Sequence, residues 1–468
     1  MLFNSPEFLL FFCIVTTLFF LLPHKFRWIL LLLASCFFYM FFKAVYILIL
    51  GFTIIIDYYA GIKIEAADQP KTKKNYLVLS LIANIGILAV FKYYNFINDN
   101  ISGLYNLLGY KNPIPYLKTL LPIGLSFHTF QAMSYTIEVY RGNQKAEKHF
   151  GIYALYVMFY PQLVAGPIER PQNILHQFHE KKYFDYERVL SGLRMMLLGF
   201  FKKIVIADRL SVYVDSVYGD VGHANFITVF IAIVFFSVQI YCDFSGYSDI
   251  AIGAAKVMGY DLMTNFNIPF ISKNVTEFWR RWHISLSTWF NDYLFTPLLI
   301  SKRDWGKKGV VFALIITFLI SGLWHGAGWT FLIYGLLHGI AMSFEFLTKK
   351  RRLGISKKIS KGLYNTISCI LTFLFVSFAW VFFRAESFGK VKLIFETLFS
   401  FHLDFNLTQL SAEKGPLNLL LSFFVIGLFY FINKLYKSKW AFMFSLVTFF
   451  LIIILSKDGS QTFIYFQF

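Results

Sequence analysis

Residues 310–340 read "VVFALIITFLISGLWHGAGWTFLIYGLLHGI", and the way this run is housed decides the fold. The apolar part, 310–323, covers about fourteen positions, roughly 21 Å as a helix, which falls short of a bilayer core about 30 Å thick. Gly322, Gly326 and Gly328 surround His325 and permit a backbone break before helix resumes from Trp329 towards Phe346. A break at membrane depth is tolerated only inside protein or beside a cavity, so the pattern predicts a pocket wall carrying His325. His338 follows Tyr334 by four residues, which places the pair on one face of the second helix. His338 reads as a hydrogen-bonded packing residue.

The rest of the chain has the same character. Of its 468 residues 57% are hydrophobic and only 15% charged, where soluble domains have about 25% charged. Apolar runs recur at 8–22, 28–42, 76–90, 224–241, 310–320 and 366–383, so an all-α integral membrane protein is expected, with about nine to eleven spans and some re-entrant and interfacial helices. The first run has no basic stretch before it and no small-residue cleavage site after it, and reads as a retained helix. Cys13, Cys36, Cys242 and Cys369 read as small core residues; none has a metal-ligand or redox spacing, and no metal site is expected. A net charge of +18 is that of cytoplasmic loops and lipid headgroup contacts, not of a nucleic-acid binder. Loops 24–27, 71–74, 141–148 and 349–361 carry that charge. Placing them inside puts the N-terminus outside, and requires later spans to carry Lys434 or Lys457 across or to include a re-entrant piece.

No polar segment is long enough to fold alone and no flexible linker divides the chain, so a single domain, 1–468, is expected. Interruptions at 91–118, 172–194, 207–223, 260–292 and 384–414 should hold loops and surface helices. Residues 181–194 suit an amphipathic interfacial helix. "YPQLVAGPIERP", 160–171, should form a kinked or re-entrant element, because proline removes a donor and disfavours helix before it.

Polar residues concentrate in 241–298. Asn274 and Glu277 have capping-box spacing, which predicts a helix from there through Asn291 with Trp279, His283 and Ser287 on one face. Ser245, Asp249 and Gly253 recur every four residues, and Asp243 and Asp249 need partners if buried. Ionisable groups in membrane segments are costly and commonly line a polar cavity or substrate path. The alternative is that Arg280, Arg281, Asp243, Asp249 and Asp292 form structural ion pairs around a packing His283. An imidazole can take or give a proton near neutral pH, as attack of a hydroxyl on a thioester requires. His325 is therefore a candidate base, a hydrogen-bonded packing residue being the alternative, and Trp279, Ser287, Asp243, Ser245, Asp249, Trp324 and Tyr334 are, with His283, candidate substrate-facing residues. No phosphate loop, dinucleotide fingerprint or nucleophile elbow occurs, and no set of residues marks a bound cofactor.

Several ordered stretches resemble the membrane-bound O-acyltransferase family, in its bacterial alginate O-acetylation (AlgI-like) branch. They are "MLFNSPEFLLFF" at the start, "LPIGLSFHTFQAMSYTIEVYRG" from Leu121, "YPQLVAGPIERP", "YCDFSGYSDIAIGAAKVMGY" from Tyr241, "FWRRWHISLSTWFNDYLF" from Phe278, "SGLWHGAGWTFLIYGLLHG" from Ser321 and the closing "FIYFQF". The resemblance implies a ring of membrane helices around a thinned centre and a central tunnel. It matches His325 to the family's catalytic histidine and His283 to a second active-site position; His128 stands where an aromatic such as Tyr is expected. It further implies a bacterial cytoplasmic (inner) membrane location and acetyl-CoA as donor. The acceptor would be a cell-surface or exported polysaccharide, and a separate extracytoplasmic partner with an SGNH or serine hydrolase-like domain is expected. D-alanyl transfer to teichoic acid from a carrier-protein thioester is the alternative within the family. A polymer or proton-coupled transporter is the alternative outside it.

Overall fold

In lipid, backbone N–H and C=O groups have to be satisfied within each segment, and the described residues accordingly form helices and no strand. The computed structural model describes residues 1–117, 122–400, 416–435, 441–455 and 463–464. Among the described residues, six helical stretches are long and apolar enough to cross a membrane: Ala44–Ala66, Pro70–Leu107, Phe226–Met258, Lys307–His325, Trp329–Leu347 and Lys361–Arg384. Shorter apolar helices occur at Pro6–Leu21, Leu419–Leu428 and Ser445–Leu455. The protein is a multi-pass membrane protein. Expectations about Lys457, about 401–414 and about residues 465–468 lie outside the described residues.

The chain forms two compact units. The first comprises Met1–Met196 and Ser248–Met263. It contains α1 (Pro6–Leu21), α2 (His24–Met40), α3 (Ile47–Ala66), α4 (Pro70–Leu88), α5 (Tyr94–Leu107), α6 (Leu125–Arg141), α7 (Phe150–Met158), α8 (Tyr160–Leu163) and α9 (Pro171–His179). Most of α10 (Tyr186–Phe200) also belongs here. Residues 91–107, expected as an interruption, are helical, because α4 passes through a five-residue π stretch, Ala89–Tyr93, into α5. The polar side chains of α5 serve the segment that follows: Asn95 Nδ2 donates to Leu117 O and Asn112 Nδ2 to Asn98 Oδ1. The expected interfacial helix at 181–194 begins later, at Tyr186.

Asp57 is a fully buried carboxylate in α3. Ser80 Oγ donates to it at 2.6 Å, and Asn84 Nδ2 reaches its two oxygens at 3.0 and 2.9 Å. The proline-rich stretch makes a single turn, α8, and then an irregular segment in which Glu169 accepts the Met263 N–H. Gln177, one helix on, accepts the Asp261 N–H at 2.9 Å and donates to Asp261 O at 2.9 Å. The kinked element therefore ties down the chain that leaves Met258. Of the four cysteines only Cys242 is buried; Cys13 is exposed and Cys36 and Cys369 are half-buried. The core assignment fails for those three because their helices are apolar on the outward side as well, where lipid, not protein, would cover them.

The second unit comprises Leu197–Tyr247 and Thr264–Phe468. Its elements are α11 (Asp208–Gly219), the first two-thirds of α12 (Phe226–Met258), α13 (Val275–Arg281), α14 (Ile284–Phe290), α15 (Thr296–Ser301), α16 (Lys307–His325) and α17 (Trp329–Ser356). They are followed by α18 (Lys361–Arg384), α19 (Phe388–Phe399), α20 (Pro416–Leu435) and α21 (Ala441–Leu455). Helices α16 and α17 form an antiparallel hairpin around the predicted break. A Cβ on Gly322 would sit 2.2 Å from Phe331 O, and one on Gly335 would sit 2.1 Å from Phe318 O. Those glycines let two backbones meet, as small residues do between membrane helices.

Candidate active site

His325 is the last residue of α16 and is 4% exposed. The helix stops at Gly326–Gly328 as the glycine pattern predicts, but not because these residues need left-handed backbone: Gly326 and Gly328 are extended, with φ of −156° and −168°. What excludes a side chain at Gly326 is the Phe331 ring, 2.1 Å from a Cβ built there. The break thus folds α17 back so that His325 meets Tyr334 at 6.0 Å between ring centroids and Phe383 of α18 at 5.4 Å. Helix α16 begins at Lys307 and has 19 residues, longer than the apolar run alone suggested.

Tyr334 and His338 share a face, as their spacing predicts, with ring centroids 4.8 Å apart. Trp279 Nε1 donates to His338 Nδ1 at 3.2 Å, and an indole N–H can only donate. The His338 proton therefore sits on Nε2, and the ring is fully buried against Trp279, Phe318, Tyr334 and Phe375. His338 is a packed residue with a fixed tautomer.

Helix α13 starts where its cap predicts: Asn274 Oδ1 accepts the Glu277 N–H at 2.7 Å, and Glu277 Oε2 accepts the Lys273 N–H at 3.0 Å. Glu345 of α17 adds to this cap, accepting Val275 N–H at 2.6 Å, Thr276 N–H at 3.0 Å and Thr276 Oγ1 at 2.7 Å, a favourable place for a carboxylate. The expected continuous helix to Asn291 is not formed. It breaks at Trp282 and His283, and His283 takes a left-handed backbone with φ of 43°. The cause lies outside the helix: Asn265 O accepts the Ile284 N–H at 2.9 Å and Arg281 O accepts the Asn267 N–H at 2.9 Å, so a neighbouring segment takes the backbone groups that would have continued the helix. Trp279, His283 and Ser287 consequently do not form one helical face.

The break turns His283 inward, where it is fully buried. Its ring meets Phe244 of α12 at 4.6 Å and Trp324 at 6.2 Å, and Trp324 in turn meets His325 at 4.9 Å. His283, Trp324, His325, Tyr334, His338 and Trp279 thus form one continuous chain of rings. His283 lies outside the six candidate spans, and burial pushes its imidazole down to about 3. Because the ordinary value is about 6.5, its contribution to stability is complete above that pH and falls by about 1.4 kcal/mol per pH unit below it. Lowering the pH from 7 to 5 should therefore cost the wild type about 2 kcal/mol that His283→Gln does not lose. Denaturation midpoints of both proteins at the two pH values check this; equal acid-induced drops would contradict it.

Below this chain of rings lies a cavity of about 800 Å³. Val310, Leu314, Thr317, Phe318 and Ser321 of α16 line one wall, a stripe at helical spacing that reaches His325 one turn beyond Ser321. Trp279 and Arg280 of α13 and Ser287 of α14 line another, and Met342, Glu345, Phe346, Lys349 and Arg352 of α17 a third. Since the hairpin is antiparallel, Lys349 and Arg352 stand at the end away from His325. Glu345 lines the same wall with its carboxylate hydrogen-bonded to the α13 cap, and its backbone carbonyl accepts from Arg352 Nη2 at 2.9 Å.

Asp243 and Ser245 fall elsewhere in this unit. Lys203 Nζ lies 2.7 Å from Asp243 Oδ1 and 2.9 Å from Asp208 Oδ1, a buried ion-pair triad, and Asp243 Oδ2 accepts the Ile464 N–H at 2.7 Å. Phe463 stacks on Tyr247 and touches Phe244, the residue beside His283. Asp243 therefore holds residues 463–464 against α12. Asp249 lies on the part of α12 that belongs to the first unit. Arg281 pairs with Glu277 at 2.9 Å. Sequence reasoning missed Asn265, Glu345 and Phe383. It read Lys349 and Arg352 as loop charges, because helix α17 was expected to end ten residues before it does.

The MBOAT, membrane-bound O-acyltransferase, family model matches residues 30–383. The chain is 35% identical over 407 residues to the probable alginate O-acetylase AlgI of Pseudomonas aeruginosa, covering 86% of this chain and 75% of that protein. It is 36% identical over 384 residues to the peptidoglycan O-acetyltransferase of Helicobacter pylori, covering 76% and 71% respectively. A more distant similarity, 29% over 280 residues, covers 57% of this chain and 69% of the teichoic acid D-alanyltransferase of Bacillus subtilis. The chain is an O-acyltransferase and belongs to the membrane-bound O-acyltransferase family.

Proposed function

We propose that the protein O-acetylates a cell-surface or exported polysaccharide from within the bacterial cytoplasmic membrane, with acetyl-CoA as the cytoplasmic thioester donor and His325 as general base. The observation that carries this reading is the cavity, whose α16 wall runs from a cationic end to within one helical turn of His325. Arg280, Lys349 and Arg352 suit the phosphates of the donor, and the apolar middle formed by Leu314, Phe318 and Met342 suits its pantetheine arm. The thioester carbonyl then reaches the ring chain. His325 takes the proton of the acceptor hydroxyl as its oxygen attacks that carbonyl; the C–S bond breaks and the thiolate leaves to be protonated. The acceptor oxygen belongs either to the polysaccharide or to a hydrolase-like partner that relays the acetyl group. The relatives named for alginate and peptidoglycan O-acetylation support a polysaccharide as the final acceptor.

Replacing Arg280, Lys349 and Arg352 together by Gln should raise KM for acetyl-CoA about tenfold or more with kcat little changed, since phosphate contacts bind without entering the chemical step. An unchanged KM would remove the cavity as the donor site. The similarity to a D-alanyltransferase favours one second reading, alanyl transfer from a carrier-protein thioester. Analysis of envelope esters separates the two: acetate supports the first reading and alanine the second.

A further inference from the structure

The turn that carries His283 also settles which of its ring nitrogens bears the proton. His283 Nδ1 lies 3.1 Å from Asn265 Oδ1. The identity of that Asn265 atom follows from Ser285, whose backbone N–H reaches it at 3.3 Å and whose Oγ reaches it at 3.0 Å. A backbone N–H can only donate, so the atom it meets is the carboxamide oxygen and not the nitrogen. His283 Nδ1 must then be the donor, and Nε2 the nitrogen with the lone pair. Asn265 is itself 1% exposed, and its backbone carbonyl takes the Ile284 N–H, so both ends of the residue grip the turn. His338, four rings along the same chain, is held in the opposite tautomer by Trp279.

We propose that Asn265 is a positioning residue of the acyl-transfer site, holding His283 as the Nδ1–H tautomer so that Nε2 presents a lone pair and not a second N–H to that site. This rests on the reading that places His283 in that site. The left-handed backbone at His283 fits the same purpose, because such strain is maintained by the surroundings and recurs at functional sites. A ring free to exchange tautomers would for part of the time donate Nε2–H to the acceptor oxygen and tie up the lone pair with which that oxygen attacks, while His325 takes its proton.

The test combines a spectroscopic signature with kinetics on the full-length protein in detergent or nanodiscs. In the 15N spectrum of histidine-labelled wild type, the His283 signals, assigned by their loss in His283→Gln, should show the proton on Nδ1. Asn265→Leu, similar in size but without an acceptor, should lower kcat about ten- to hundredfold with KM for acetyl-CoA within about twofold. Asn265→Asp keeps an accepting oxygen and should retain kcat within about fivefold of wild type. A proton on Nε2 in the wild type, or an unchanged kcat in Asn265→Leu, would overturn the proposal, and the first of these readings does not depend on any Asn265 variant folding. Failure of the acyl-transfer reading shows separately, as full transfer by His325→Ala.

Discussion

His325→Ala is expected to lower acyl transfer by about a hundredfold to ten-thousandfold while the protein continues to accumulate in the membrane. The loss in rate follows from the role: without an acceptor for the hydroxyl proton, attack on the thioester has to proceed through a much less nucleophilic neutral oxygen. Accumulation follows from the packing. His325 ends a helix and touches Trp324, Tyr334 and Phe383, and those three rings keep their other contacts when the imidazole is removed. His338→Ala should behave in the opposite sense. It leaves the buried Trp279 Nε1 without its acceptor and opens a void among four aromatic rings, so it should reduce yield and thermal stability more than His325→Ala does. Full transfer by His325→Ala would remove the base assignment.

The second large effect is expected at the helix hairpin. Gly322→Ala places a methyl 2.2 Å from a backbone oxygen, and Gly335→Ala does the same at 2.1 Å, where no flexible side chain can yield. The helices have to part, at about 1–3 kcal/mol for each substitution. Because the same contact sets the approach of His325 to Tyr334, activity should fall more than stability does: a displacement of about 1 Å at a reacting group can cost about a hundredfold. Gly354→Ala is the control. Nothing lies within 4 Å of its added methyl, and in a helix interior alanine is favoured by about 0.5–1 kcal/mol. Thermal melting and transfer rates of the three variants check the contrast, which fails if Gly322→Ala and Gly354→Ala behave alike.

The two breaks beside the site differ in how far local sequence announces them. At His325 the signal is local: an apolar run shorter than a bilayer, closed by glycines. Even there the reason inferred for Gly326 was incomplete, since the need is for space beside Phe331 and not for an unusual φ. At His283 the signal is non-local. A good cap and a run of helix-compatible residues favour continuation, and what stops it is backbone pairing with Asn265 and Asn267, some sixteen residues upstream. For the same reason Asn265 did not stand out. Its role exists only once the turn has formed.

Asp243 shows a third kind of limit. Sequence said correctly that a buried aspartate needs a partner, but spacing could not find Lys203, forty residues away on a π-helical stretch, and the carboxylate went to an ion pair and to residues 463–464 rather than to the ring chain. Charge alone places Lys349 and Arg352 in a loop. The additional turns of α17 turn that charge into a cavity lining, where the proposed donor's phosphates would bind.

The central claim is that an acetyl group passes from a cytoplasmic thioester, through the cavity, to an acceptor on the far side of the membrane with His325 as base. It is tested most directly by supplying acetyl-labelled acetyl-CoA to the cytoplasmic face of sealed vesicles and analysing esters on the opposite face, for wild type and His325→Ala. The expected result is labelled ester on the far side in wild type and a loss of at least a hundredfold in the variant. Label that never crosses in wild type, or crosses equally well in His325→Ala, would contradict it.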